Sequence, residues 1–398
     1  RLNQSRVRTP QTPPTGKNDM TEPTRFPTVT ITAQRGAVSD DVSLRIAGRS
    51  WSGWTDVRIT RGIERLPSDF ELHLTEFSPT ERAIQVKLGD ACEVLIGLDV
   101  VLTGYVDRVI RQFDARNHTV TVTGRSKCAD LVDAAAEWPG GQIVGSTVLE
   151  IAQKLAAPYG INVTAPGDPG PAIPKFNLML GETPFAIIER LCRFGQLLAY
   201  DDPDGDLVLS TVSNRQTASG FREGVNIMRA SLVGAMDQRF SEVVAYQQSV
   251  ATLNDIGEGG NLQAMISDTA VPRHRRHVVI SETSGGIGWE IAGQRAKWEV
   301  ARRYGRSSVV QVSTDSWRDS RGRIYAPNTM ALCELPTLQL PSVNLCIGEV
   351  TYRTGSGGTQ CDLTLMPPEA FQPQPFNVLQ LLPFPELAQI AVNTNKSK

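Results

Sequence analysis

No stretch of this 398-residue chain approaches the ~18 consecutive apolar residues of a membrane helix, so no stable membrane insertion is expected. Neither sign of charge dominates: 40 Lys plus Arg face 42 Asp plus Glu, a formal net charge of -2. That balance argues against a dedicated nucleic-acid clamp, which needs clustered cationic surface to displace counterions. The six cysteines, at 92, 128, 192, 333, 346 and 361, contain no C-x-x-C pair, and no signal-peptide core opens the chain. Reduced thiols in a cytosol are therefore expected. Cys92, Cys333, Cys346 and Cys361 sit in strand-like apolar runs and read as small buried hydrophobes. What remains is 40% apolar and 21% charged residues, the balance of an ordinary folded protein. A prior of about 150 residues per domain gives two or three domains.

Catalytic and metal motifs are equally scarce. His274 and His277 lie three apart in PRHRRHVV, but the Val-Val-Ile run that follows favours a strand, and neighbouring arginines repel a cation. His73 alternates opposite the apolar face of its strand. The cluster Asp201, Asp202, Asp204 and Asp206 fails the calcium-loop test, because positions six and twelve counted from Asp202 are Leu207 and Ser213. A hairpin turn explains these residues. Gly285, Gly286 and Gly288 precede a helix without matching either phosphate-loop signature, and no G-x-S-x-G is present. The chain is expected to be no enzyme and to need no metal or cofactor.

Residues 1–19 carry Arg1, Arg6, Arg8, Lys17 and three prolines and are expected to be non-native or upstream of a start at Met20. The stretch 1–40 as a whole reads as a disordered extension. From residue 41 the texture is that of short strands. DVSLRIAG puts Val42, Leu44 and Ile46 on one face; WTDVRITRGI and DFELHLTE follow, then ACEVLIG, DVVLTGYVDRVI and HTVTVTG. About six strands in residues 41–127 predict a small antiparallel barrel or sandwich.

The period changes over 128–217, which predicts a small α+β domain, possibly of the LysM type. SKCADLVDAA is a short helix or turn. STVLEIAQKLAAPYG is a helix over 147–157, with capping-box spacing of Thr147 and Glu150. GETPFAIIERLCRFG is a second, 184–194, with Thr183 as N-cap, Pro184 at the first position and Gly195 ending it. LLAYDDPDGDLVLS is a hairpin. Strands return over 218–367, interrupted by a loop at 251–270 and by a helix at 289–304 closed by Gly305, whose charges suggest that one face meets water or a partner. A further subdomain fits inside this stretch. The tail, 368–398, is proline-rich and cannot be a continuous helix or strand. Its Phe371, Phe376, Leu379, Leu381 and Phe384 are candidates for docking to a spike or a neighbouring subunit.

An internal echo links residues 89–125 with 327–367. Each runs strand, Gly-x-Val strand, turn, alternating strand, and Gly104 with Val106 matches Gly348 with Val350. Taken as a repeat, it predicts an α+β, mainly β, chain of two similar antiparallel β-barrel domains with a small α+β domain inserted between them. Trp51, Trp54, Phe70 and Tyr105 suit core packing better than subunit contacts.

Several runs resemble the baseplate hub proteins of phage Mu and its relatives, part of a T-even hub-like group. They are GRSWSGWTDVRITRGIERLPSDFEL (48–72), LTGYVDRVIRQFDARNHTVTVTGRSKCADLVDAAAEWPGGQ (102–142), STVLEIAQKLAAPYGI (146–161), RFSEVVAYQ (239–247) and DSWRDSRGRIYAPN (315–328), with a last strand ending near LMPPEAF (365–371). The resemblance implies a structural homotrimer at the centre of a contractile-tail baseplate. Two barrels per subunit would make six quasi-equivalent ones. A sixfold tail tube protein would then sit on one side and a threefold central spike protein on the other, among other baseplate proteins. Phage DNA would pass through without specific binding, in a virion assembled in the host cytoplasm. The competing readings are a tail-associated cell-wall-binding or cell-wall-degrading protein.

Overall fold

In a computed structural model the described residues are 40–76, 86–115, 118–170, 172–248, 261–281, 288–371 and 390–391, all within one unit, Val38–Lys398. The N-terminal extension and most of the tail lie outside them.

Alternating apolar residues build the first seven strands: β1 (Val42–Ile46), β2 (Arg49–Trp51), β3 (Asp56–Gly62), β4 (Arg65–Glu76), β5 (Ala91–Ile96), β6 (Asp99–Phe113) and β7 (His118–Ser126). Val42, Leu44 and Ile46 are buried together with Trp54, Phe70 and Leu72, so burial selects one face of each strand. Trp51 packs against this core at its margin, and Tyr105 is half-buried.

The middle stretch holds α1 (Ala129–Asp133), β8 (Gln142–Thr147), α2 (Val148–Ala156), β9 (Val163–Thr164), β10 (Ala172–Asn177), α3 (Pro184–Gly195), β11 (Leu198–Asp201) and β12 (Leu207–Ser210). It has its own apolar cluster, in which Ile151 and Leu155 of α2 meet Ile187, Ile188 and Leu191 of α3. The Thr147 hydroxyl accepts from Glu150 N, the Glu150 carboxylate accepts from Thr147 N, and Thr183 caps α3. Gly195 is the last residue of α3 rather than its stop signal: Gln196 takes the left-handed conformation, with φ 59°.

The rest comprises β13 (Phe221–Arg222), β14 (Arg229–Gly234), β15 (Glu242–Gln248), β16 (Asn261–Asp268), β17 (Arg276–Ser281), α4 (Gly288–Arg306), β18 (Ser308–Thr314), β19 (Met330–Leu335), β20 (Leu340–Thr354), β21 (Gln360–Met366) and β22 (Ile390–Ala391). Here the loop expected over 251–270 is corrected over 261–268, while 251–260 lie outside the described residues. Residues 261–268 are a strand pairing antiparallel with β15, because Ala264 and Ile266 carry the alternation that buries them against α4. Gly305 does not end α4 either. A Cβ there would lie 2.1 Å from Ala370 N, so glycine is required by the close approach of the short 3-10 turn Pro368–Ala370.

The strands form a thirteen-stranded sheet in the order β14-β18-β21-β20-β3-β4-β7-β6-β5-β1-β2, with β19 on β20 and β13 on β19. The described ladder is open, and β3 joins β20, so the two β-rich regions share one sheet. Strands β17-β15-β16-β22 form a separate sheet. The internal echo has a partial structural counterpart, in a different register: the residue that corresponds to Gly104 is Cys346, two before Gly348. Both β6 and β20 are 15 residues long and change partners mid-strand. Gly104 faces Cys92 on β5 and Ser126 on β7; Cys346 faces Met330 on β19 and Met366 on β21. Each ladder carries a bulge just beyond the exchange, between Val106 and Arg108 and between Ile347 and Glu349.

Candidate interaction cleft

The histidines and acids singled out from the sequence are absorbed by local packing. The His73 ring lies 2.8 Å from the Thr121 hydroxyl and 3.0 Å from Glu71. His274 is exposed beside Glu242, whereas His277 stacks on Phe240 (4.7 Å) with Arg303 at 3.1 Å, so the two do not converge. Asp201 accepts from Ser68 N at 2.8 Å and from its hydroxyl at 2.6 Å, while Asp206 pairs with Lys127 at 3.0 Å. Among the described residues no group of three or more His, Cys, Asp or Glu could hold a metal ion. All six cysteines are buried, and burial pushes Cys92, Cys192, Cys333 and Cys346 up to about 12, which leaves them poor nucleophiles.

Of the docking candidates, Phe371 is 2% exposed and packs with Ile63, Leu198, Met330 and Cys346. It holds the start of the tail in the core, against Gly348, where a Cβ would come within 2.7 Å of its ring. Phe376, Leu379, Leu381 and Phe384 lie outside the described residues.

The same Phe371 ring borders a cleft of 620 Å³ between α3 and α4. Its position follows from the helix period. Ala296 and Val300 of α4 turn to the β15–β16 sheet, which leaves Arg295, Trp298, Arg302 and Arg306, spaced three and four apart, for the opposite side. Phe185 of α3, Leu197 of the turn that follows and Leu198 of β11 provide apolar lining. The guanidiniums of Arg295 and Arg302 stack on the Trp298 indole, 4.4 and 5.1 Å from its centroid.

The charges are unevenly satisfied. Arg302 and Arg306 each reach Glu64 at 2.5 Å. Arg193 pairs with Glu189 one turn back. Glu299 accepts from Arg303 at 2.7 Å and lies 3.7 Å from His277, so it is already engaged when it meets Arg295 at 3.7 Å. Burial lowers the proton affinity of Arg295; Glu299 opposes that shift, and Arg193 and Arg303 add to it. Arg302 is likewise lowered by burial, against the pull of Glu64. Sequence reading noted a charged face on this helix but not the cleft, because the facing wall is supplied by α3, about 100 residues earlier.

Three family models match in chain order. These are the N-terminal domain of GpP-like Mu phage baseplate assembly proteins over residues 41–126, the second domain of gp44-like baseplate hub proteins over 128–211, and the fourth domain of the Mu phage baseplate assembly protein GpP over 289–374. The baseplate hub protein gp44 of Escherichia phage Mu is 29% identical over 343 residues, 84% of this chain and 89% of its own. Among solved structures, the 43 kDa tail protein of prophage MuSo2 from Shewanella oneidensis is 28% identical with a TM-score of 0.76, covering 83% of this chain and all of that one (100%). A tail protein from Neisseria meningitidis shares the fold, with a TM-score of 0.69 at 22% identity, covering 84% of this chain and 98% of that one. The mainly β scaffold and the three domain matches make this chain similar to phage-tail baseplate proteins. Over most of its length the chain is similar to the baseplate hub proteins of phage Mu and its relatives.

Proposed function

We propose that this chain is the structural hub of a contractile phage tail, or of a tail-like particle. It acts as a homotrimer that joins a sixfold tail tube to a threefold central spike and lines part of the DNA ejection channel. In this reading residues 41–127 and 218–367 are two similar barrel domains, 128–217 is a small α+β domain between them, and 368–398 is a docking tail. The observation that carries the reading is the paired arrangement of β5-β6-β7 and β19-β20-β21, with their equally long central strands. A chain that presents the same meander twice lets three copies offer six similar surfaces, which is how a threefold object can meet a sixfold one.

The work is mechanical rather than catalytic and needs no cofactor. Assembly takes place in the bacterial cytoplasm, and the finished location is the virion tail. A net charge of -2 suits a conduit that must not hold its DNA. Apolar side chains that stand in water in one copy, Leu98 and Phe113 among them, are available to neighbouring subunits. Light scattering of the purified protein is expected to give three times the 43.4 kDa chain mass. A monomer at every concentration tested overturns the trimer. Deleting 372–398 is expected to abolish recovery of hub–spike complexes through loss of Phe376, Leu379, Leu381 and Phe384, and undiminished recovery overturns the docking role of the tail.

A further inference from the structure

We infer that the cleft between α3 and α4 receives a segment of a partner protein that carries one carboxylate flanked by apolar side chains. Helices α3 and α4 flank the cleft, and its polar residues serve no other role in the hub reading. Failure of this inference leaves that reading intact.

Charge complementarity selects the occupant. Among the described residues every cation around the cleft except Arg295 has a carboxylate within 3 Å: Arg302 and Arg306 have Glu64, Arg303 has Glu299, and Arg193 has Glu189. Among the described residues Arg295 has only the shared Glu299 at 3.7 Å, and its guanidinium carbon lies over the Trp298 ring, 4.4 Å from the centroid. A partly buried guanidinium over an indole keeps edge donors available for a bidentate carboxylate. Arg193, on the facing helix, is near enough for its charge to weigh on Arg295, so an anion between the two relieves a repulsion.

The lining limits the charge of that anion. Glu64, Glu189 and Glu299 all border the cleft and would repel a polyphosphate or a nucleic-acid backbone. Phe185 and Trp298, backed by the buried Leu197 and Phe371, offer apolar contact instead, and the 620 Å³ volume admits two or three side chains rather than a folded domain. One acidic residue between apolar neighbours satisfies both constraints.

The test uses the full-length protein and two blocked tripeptides, acetyl-Leu-Glu-Phe-amide and its Gln counterpart. Binding is followed by the indole resonance of Trp298, assigned with Trp298→Phe. The Glu peptide is expected to shift this resonance and to bind about tenfold more tightly than the Gln peptide, the added strength of a charge-assisted pair. In Arg295→Gln the two peptides become equal, with binding to the apolar walls retained. In Arg193→Gln the preference falls part-way, which keeps the question decidable should Arg295→Gln not fold. Equal affinity of the two peptides for the unaltered protein overturns the proposal. So does absence of any shift at Trp298, or tripolyphosphate binding more tightly than the Glu peptide.

Discussion

Glu369 has almost no contact with water. It is 1% exposed, and its Oε2 has no hydrogen-bond partner among the described residues. Burial raises its pKa above the ordinary carboxyl range. The folded state therefore holds the proton more tightly than the unfolded chain. The mismatch costs nothing well below the ordinary range and grows as pH rises through the folded pKa. Glu369→Gln is expected to stabilise the protein at neutral pH by about 1–3 kcal/mol, the usual cost of an unsatisfied buried group. The gain should shrink as the pH of the thermal melt is lowered toward 4.5. His277 has the opposite shift and the same direction of reasoning. Burial and then Arg303 lower its pKa below 6.5, with Glu299 opposing and Arg295 adding, so the fold prefers the neutral ring. Its contribution is complete above 6.5 and is lost as pH falls through the folded value. The titratable groups around it are Glu299, Arg295 and Arg303 of α4, and Arg275 joins Arg303 on the Phe240 ring beneath it. His277→Gln should flatten the acid side of the stability profile in chemical denaturation, and an unchanged profile rules this out. Neither shift was legible in the sequence, although His277 itself stood out there, since both arise from burial by elements packed across the fold.

Elements were read better than residues wherever their signals are local. Helix α2 starts where its capping box places it, and Thr147→Ala is expected to cost about 1 kcal/mol in chemical denaturation. Strand alternation located β1, β4 and β7 for the same reason: side-chain period is a property of neighbours in the chain. Strand β16 was missed because the Gly- and Asn-containing run before it resembles a loop, and its burial depends on α4, some 30 residues later. The echo of Gly104 and Gly348 was visible, although its meaning was not. Close approach explains the glycines of the first copy. At Gly124 a Cβ would sit 2.2 Å from Tyr105 O and 2.6 Å from the Phe70 ring. Gly124→Ala is therefore expected to cost about 3 kcal/mol, at the upper end of overpacking penalties. A melt indistinguishable from wild type would show that the β6–β7 ladder gives way.

At the scale of the molecule, a few polar contacts join the regions that sequence periodicity separates. The buried Asp201 carboxylate takes both donors of Ser68 and so ties the middle stretch to β4. Asn328 donates to Tyr200 Oη at 3.0 Å and to Thr211 O at 3.1 Å from the other side. Ser68→Ala is expected to destabilise by about 1.5–3 kcal/mol, the range for hydrogen bonds to charged groups, with the loss read by hydrogen exchange in β4 and β11 together. Exchange that rises in only one of them would mean that the two regions are stabilised separately.

Composition, period and capping are written along the chain, and from them came the mainly β character, helices α2 and α3, the buried thiols and the candidate repeat. Strand partnership is different in kind. The hydrogen bond between Thr60 and Thr351 spans 291 residues, and the β3–β20 ladder around it turns two β-rich regions into one sheet. No local propensity encodes such a pairing, because its reward appears only after loop closure has brought distant strands together. The Arg295–Trp298 cleft belongs to the same class: one wall is legible as a helix face, and the other exists only once the chain has folded back to supply it.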